Sequence, residues 1–245
     1  MKKLKIILLI IFIVLFCFSC ISFYKIYREN TYQKKLKNSL IEEVVKPEDY
    51  SKESSYYINF EYLESINSDV VGWIIMEDTK INYPIVQGSD NDYYLKHTFD
   101  KKYNTIGSIY MDYRAKEDFS SYNTFIYGHN TYDGSMFADL SKYKDFNFYK
   151  DHPIFYIYTS SGNYRVKIFS FYIDDVDNGS YKVEFSDLDD YKNYIEIISS
   201  KSIYNTNVNV DYTEDKIVSL YSCSGLRGIA RLKRYFMHGI LEKIN

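Results

Sequence analysis

Cysteine is scarce in this chain of 245 residues, and its three copies are Cys17, Cys20 and Cys223. The first two fall inside an apolar run, where a small soft side chain needs no special reason. Cys223 therefore stands alone in the rest of the chain, with no partner for an intramolecular disulfide. Proline (three) and tryptophan (one) are also rare. No internal repeat and no low-complexity stretch interrupts the sequence, and no second long apolar run follows the first. Histidines and acids show no metal-ligand spacing, so neither a metal nor another cofactor is expected. Basic charge is missing where nucleic acid would need it. Residues 1–37 carry eight Lys/Arg against Glu29, a net +7, which leaves −10 on residues 38–245 of a chain whose total is −3. An acidic main segment excludes nucleic acid as a partner, because phosphate binding requires a basic face.

What is present begins with Ile6–Tyr24, nineteen residues without a charge. At about 1.5 Å per residue this run is long enough to cross a bilayer core as a helix. A cleaved signal would have a shorter core and an Ala-x-Ala-like exit; a lipoprotein signal would place Leu, rather than Cys17, three residues before Cys20. An uncleaved single-pass anchor is expected over residues 1–24. Lys2, Lys3 and Lys5 crowd its start, so the positive-inside tendency puts the N-terminus in the cell and the remainder outside. Residues 25–56 read as a polar stalk, with helical character over 29–45 and a break at Pro47.

From Tyr57 onward the pattern is that of one domain, 57–245, rich in apolar and aromatic residues (46% and 19% of the chain). Phe60, Leu63 and Ile66 predict a short amphipathic helix. Segments 70–76, 80–86, 107–112 and 123–129 read as strands, and 136–143 as a short helix. Residues 153–173 form two Tyr/Ile/Phe-rich arms about Ser161-Gly162-Asn163, a hairpin signature. Ser186-Asp187-Leu188-Asp189 resembles a capping box opening a helix with Leu188, Tyr191, Ile195 and Ile198 on one face. Two last strands, the first ending at Cys223 and the second beginning near Arg234, complete the chain. Seven or eight strands with few helices are expected to close into a mainly β barrel with peripheral helices.

Chemistry centres on the end of the chain. An unpaired thiol at a strand end is either a small buried hydrophobe or a nucleophile. Small polar neighbours, Ser222, Ser224 and Gly225, are more typical of a strand mouth than of a core. Its base must come from elsewhere, and there are four histidines. His97 lies in a polar loop, His152 precedes Pro153, and His238 sits within the last strand. His129 ends an apolar strand behind Gly128, which allows a sharp turn or a close approach. Arg227 and Arg231 fall in the loop after Cys223, whereas Arg234 opens a strand and so presents a fixed guanidinium suited to an oxyanion.

These residues also sit in motifs. Ser219-Leu220-Tyr221-Ser222-Cys223 followed by Arg234, and Tyr127-Gly128-His129-Asn130, resemble the cysteine, arginine and histidine motifs of the class B sortases. Val71-Gly72-Trp73-Ile74, Tyr83-Pro84-Ile85-Val86-Gln87, Asp90-Asn91-Asp92-Tyr93-Tyr94-Leu95, Gly107-Ser108-Ile109-Tyr110-Met111-Asp112 and Gly134-Ser135-Met136-Phe137 follow the same pattern over roughly 57–245. The family's threonine before the cysteine is Ser222 here, and a position often occupied by serine is Tyr221.

The resemblance implies a sortase-type barrel in which Cys223 is the nucleophile, His129 the acid/base and Arg234 the oxyanion or substrate-positioning group. Asn91, Tyr127 and Ser222 would line the groove, and the helix at 186–199 would be the class B insertion before the last strands. It further implies transpeptidation. A sorting-signal-bearing surface protein would be cleaved through a Cys223 thioester and passed to an amine of a peptidoglycan precursor or cross-bridge at the outer face of the membrane. Two other readings remain at this level: an exported cysteine peptidase or peptidoglycan hydrolase, and an inactive wall-peptide-binding barrel. Papain-like enzymes place Cys before His on a helix, the reverse of the order here.

Overall fold

The computed structural model describes residues 2–47, 56–175, 178–223 and 233–244, with Lys2 and Cys223 described by their backbone alone. The chain divides into two compact units, residues 1–39 and 40–245. The first is the greater part of a helix, α1 (Lys2–Val44), that is long and apolar enough to cross a membrane. The expected stalk is therefore helical from its first residue to Val44; its residues 48–55 lie outside the described ones.

In the second unit, Leu40 and Val44 at the end of α1 are buried. A two-stranded sheet unannounced by any alternation joins β1 (Val45–Pro47) to β2 (Tyr56–Ile58). Helix α2 (Phe60–Ile66) follows, capped by the Asn59 carboxamide, which accepts from the Tyr62 N–H. Leu63 is its fully buried anchor.

Eight strands then close a barrel: β3 (Val70–Ile75), β4 (Asn82–Gln87), β5 (Ile109–Met111), β6 (Asn123–Tyr127), β7 (Ile154–Thr159), β8 (Gly162–Asp175), β9 (Ile217–Cys223) and β10 (Lys233–Lys243). Their order is β10-β8-β7-β3-β4-β5-β6-β9, and β9 pairs with β10 to complete the ring, so no edge is left open. The expected hairpin is the antiparallel pair β7–β8. Two neighbours are parallel, β4–β5 and β6–β9. Parallel pairing demands a crossover, and the first is a long loop, 88–108, without regular structure.

Side-chain alternation divides each strand between an inner and an outer face. Ile85, Ile109, Met111, Ile126, Val218, Leu220, Tyr235 and Met237 belong to the apolar cluster inside the barrel. Their neighbours Tyr110, Phe125, Tyr127, Ser219, Tyr221, Arg234, Phe236 and His238 consequently fall on the outside. The segment expected as a helix at 136–143 is a 3₁₀ turn, Ala138–Lys144, succeeded by a one-and-a-half-turn helix α3 (Phe146–Asp151). Helix α4 (Leu188–Ser200) is N-capped by Asp187, whose carboxylate accepts from the Asp190 N–H at 2.8 Å. Its buried stripe is Tyr191, Tyr194, Ile195 and Ile198, whereas Leu188 is 38% exposed. Leu188 is the first helical residue, where the stripe has not yet reached the barrel wall.

Candidate active site

Strand register brings the three expected catalytic positions to one end of the barrel. In the parallel pair β6–β9, Tyr127 lies opposite Tyr221. His129 lies two residues beyond the first and Cys223 two beyond the second, so both leave the same end of adjacent strands, which run about 4.8 Å apart. In the antiparallel pair β9–β10, Cys223 lies directly opposite Arg234. Nearly a hundred residues separate His129 from Cys223 in sequence, yet neighbouring parallel strands carry both positions to the same end of the barrel. The side chain of Cys223 and the loop with Arg227 and Arg231 lie outside the described residues.

The local structure explains why His129 is held there. Gly128 donates its N–H to the Tyr221 carbonyl at 3.2 Å. A Cβ at Gly128 would come within 2.5 Å of Ile109 Cδ1 and 2.6 Å of the Phe137 ring. Only glycine lets the chain leave β6 so close to the core. Beyond it, the His129 carbonyl accepts from the Phe137 N–H at 2.9 Å, and the imidazole Nε2 lies 3.1 Å from the Leu95 carbonyl. A carbonyl can only accept, so Nε2 carries the hydrogen. Leu95 belongs to the 88–108 loop, pinned in turn by Gly107 at φ +65°, where any side chain would strike the Tyr94 and Leu95 carbonyls at 2.5 and 2.6 Å.

The other three histidines are engaged elsewhere. His97 stacks on Tyr93 with ring centroids 4.0 Å apart. His152 sits 2.9 Å from the Asp78 carboxylate, which raises its pKa. His238 is fully buried in a polar chain under α4. There Ser219 Oγ donates to Asn123 Oδ1 (2.7 Å) and so accepts from His238 Nδ1 (2.6 Å), leaving Nε2 to accept from Tyr172 Oη (2.9 Å). That tautomer is neutral, and burial, joined by the nearby charge of Lys201, depresses the His238 pKa to about 3.

Arg234 is half-buried, with its guanidinium carbon 5.9 Å from the Tyr221 ring centroid and Nη1 donating to the Lys233 carbonyl at 3.1 Å. It shares the outer face with Tyr221 and Tyr127. Ser222 does not. It lies on the inner face with Val218 and Leu220, is 2% exposed, and its Oγ finds no hydrogen-bond partner among the described residues.

Asn91 and Tyr127, expected to line the groove, meet at a residue the sequence reading did not single out. Asp112, at the end of β5, has no exposed surface. Its carboxylate accepts from Tyr127 Oη (2.5 Å), Tyr181 Oη (2.8 Å), Asn91 Nδ2 (2.9 Å), and Arg114 through Nε (2.9 Å) and Nη2 (2.8 Å). The Asn91 Oδ1 accepts from the Tyr113 N–H at 3.1 Å. Burial pushes the Asp112 pKa up, but the hydrogen bonds from Arg114 and Tyr127 outweigh it and hold the group below the usual carboxylate range. Tyr181 comes from the connection between β8 and α4, which is tied down by Asn123 Nδ2 donating to the Lys182 carbonyl (2.9 Å) and Tyr194 Oη donating to the Ser180 carbonyl (2.9 Å). Burial lifts the Tyr181 hydroxyl to about 12. Around these hydroxyls the rings of Phe125, Tyr127, Tyr181 and Tyr221 pack with centroids 4.9–6.4 Å apart. Asp112 closes the segment Gly107-Ser108-Ile109-Tyr110-Met111-Asp112 that follows the class B pattern, but nothing in the sequence assigns it a role of its own.

No family model matches the chain. It is 43% identical over 161 residues to Sortase B of Listeria monocytogenes, a match covering 66% of this chain and 65% of that one. Sortase B of Staphylococcus aureus is 36% identical over 164 residues, 67% of each. A structure of that sortase B in complex with substrate aligns with a TM-score of 0.71 at 33% identity, covering 76% of this chain and 85% of that one. Sortase B from Bacillus anthracis, in complex with AAEK1, aligns with a TM-score of 0.77 at 34% identity, covering 89% of this chain and all of the other. A closed eight-stranded mixed barrel, a cysteine strand opposite an arginine strand, and identities of this size over nearly the whole barrel lead to one assignment: the chain belongs to the class B sortases, a family of cysteine transpeptidases.

Proposed function

We propose that this chain is a membrane-anchored transpeptidase that attaches sorting-signal-bearing surface proteins to a cell-wall amine through a thioester on Cys223. The observation that carries this reading is the register: Cys223 opposite Arg234, with His129 leaving the parallel strand alongside. In the first half-reaction the Cys223 thiolate attacks the carbonyl carbon of the scissile peptide bond. Arg234 donates hydrogen bonds to the oxygen as it gains charge. The C–N bond breaks, His129 supplies the proton to the departing amine, and the acyl group remains on sulfur as a thioester. In the second half an acceptor amine attacks that thioester, His129 takes its proton, and the thiolate leaves. Because Nε2 of His129 donates to the Leu95 carbonyl, Nδ1 is the nitrogen that exchanges these protons. Thiolate is required at the start, and imidazolium or guanidinium nearby favours it.

Helix α1 serves as the anchor, with its lysine-rich start in the cytoplasm and the barrel outside. Holding the enzyme and its membrane-borne donor in one plane raises their effective concentration. Asn91, Tyr127 and Ser222 contribute to the groove: the first two through Asp112, and Ser222 from behind the strand that carries Cys223.

The full chain in detergent, incubated with a sorting-motif peptide, tests the reading when an amine such as triglycine is added. Transfer predicts that rising amine converts the acyl product from free acid to amide. Hydrolysis that ignores the amine would make the chain a peptidase instead. Turnover surviving Cys223→Ala would remove the nucleophile from the account.

A further inference from the structure

Among the described residues, Asp112 gathers more side-chain donors than any other carboxylate, and it does so with no exposed surface. Stripping water from a carboxylate costs several kcal/mol, so the fold tolerates it only with a full set of donors. Those donors come from separate pieces of chain. Asn91 belongs to the 88–108 loop whose Leu95 carbonyl holds His129. Tyr127 ends β6, two residues before His129. Tyr181 is carried by the β8–α4 connection, and its ring lies 6.1 Å from that of Tyr221, two residues before Cys223. Arg114 grips Asp112 with two nitrogens while its guanidinium carbon lies 5.6 Å from the Tyr181 ring centroid. One anion therefore ties together the outer-face elements that bracket Cys223 and His129.

We propose that Asp112 is a positioning residue, clamping the β8–α4 connection through Tyr181 and the 88–108 loop through Asn91 against β6, and so setting the width of the groove that receives the acyl-donor peptide. The inference rests on the proposed reaction, since it assumes that the donor peptide lies on this outer face. Asp112 touches no reacting atom in this scheme. Its carboxylate remains ionised and every oxygen is engaged, so it exchanges no proton during turnover.

Two variants of the full chain in detergent test this, Tyr181→Phe and Asp112→Asn, with three readouts. These are kcat and KM for the donor peptide, the pH profile of kcat/KM, and the rate at which iodoacetamide alkylates Cys223. Alkylation needs a reactive thiolate but no peptide groove. Loss of the Tyr181 hydroxyl, which donates to the buried anion and accepts from Arg114, is expected to raise KM about tenfold in Tyr181→Phe, with kcat nearly unchanged. Asp112→Asn should lose more, again chiefly in KM. In both, the alkylation rate and the pH profile should match the parent chain. The double variant should lose less than the product of the two single losses, because both remove the same bond. An unchanged KM in Tyr181→Phe overturns the proposal, and that variant decides the matter if Asp112→Asn does not fold. A fall in kcat with a displaced pH profile in Asp112→Asn also overturns it, because it would make Asp112 an acid–base group. Failure of the underlying reaction scheme would look different: the parent chain itself would turn over donor peptide after Cys223 had been alkylated.

Discussion

Replacing Gly128 by alanine adds one carbon atom at the point where β6 hands over to His129. That carbon would sit 2.5 Å from Ile109 Cδ1 and 2.6 and 2.7 Å from two Phe137 ring atoms, where apolar contact normally begins near 3.5 Å. Neither neighbour can yield easily, because Ile109 and Phe137 are 1% and 0% exposed. The backbone at 128 has no positive φ, so the penalty is steric and not conformational. Overpacking of this kind costs about 1–3 kcal/mol, and the stiffer unfolded chain returns about 0.4–1 kcal/mol of that. A net loss of about 1–2 kcal/mol should lower the Tm of a domain of this size by about 2–8 °C, read by circular dichroism. The effect on turnover should be larger. If the chain relieves the clash by lifting away from the barrel, His129 moves by about an ångström, which can cost about a hundredfold in kcat/KM. Adding Ile109→Val removes the atom in closest conflict and should recover part of the activity. Gly128→Ala with kcat/KM within twofold of the parent would refute the reasoning, as would a double variant no better than the single one.

His238 makes stability depend on pH. Its pKa is about 3 in the folded chain and about 6.5 unfolded, so the unfolded state binds the extra proton between those values. The stabilisation is complete above about pH 6.5 and falls as the pH drops toward 3. Between pH 7 and 5 this group alone should remove about 2 kcal/mol of unfolding free energy, measured by urea titration, and His238→Gln should flatten the slope. At the start of α4, Asp187→Ala removes the side-chain acceptor of the Asp190 N–H and should cost about 1 kcal/mol, or a Tm lower by about 2–4 °C.

Much of the barrel could be read in advance because its signals are local. Alternating Tyr/Ile/Phe arms marked β7 and β8, the cap at Asp187 marked α4, and the lone cysteine with an arginine beyond it marked β9 and β10. What escaped notice lacks a local signature. β1 and β2 are three residues each, too short to show a period. Leu188 matched the apolar stripe of α4 yet stays exposed, because the stripe says nothing about where the barrel wall begins. Asp112 escaped for a different reason. Its donors lie as far as 69 residues away, at Tyr181, and meet it only once the β8–α4 connection has folded over the outer face. Ser222 shows what a motif leaves out: its place beside Cys223 names the residue but not its burial, and the pleat puts its side chain behind the strand, 2% exposed.

The most direct test of the central claim is the intact mass of the full chain after exposure to a donor peptide with no amine present. The account predicts a hydroxylamine-labile adduct equal to the acyl portion of the peptide, mapped by digestion to Cys223 and absent from Cys223→Ala. Turnover with Cys223 unmodified throughout, or an adduct at any other residue, would contradict it.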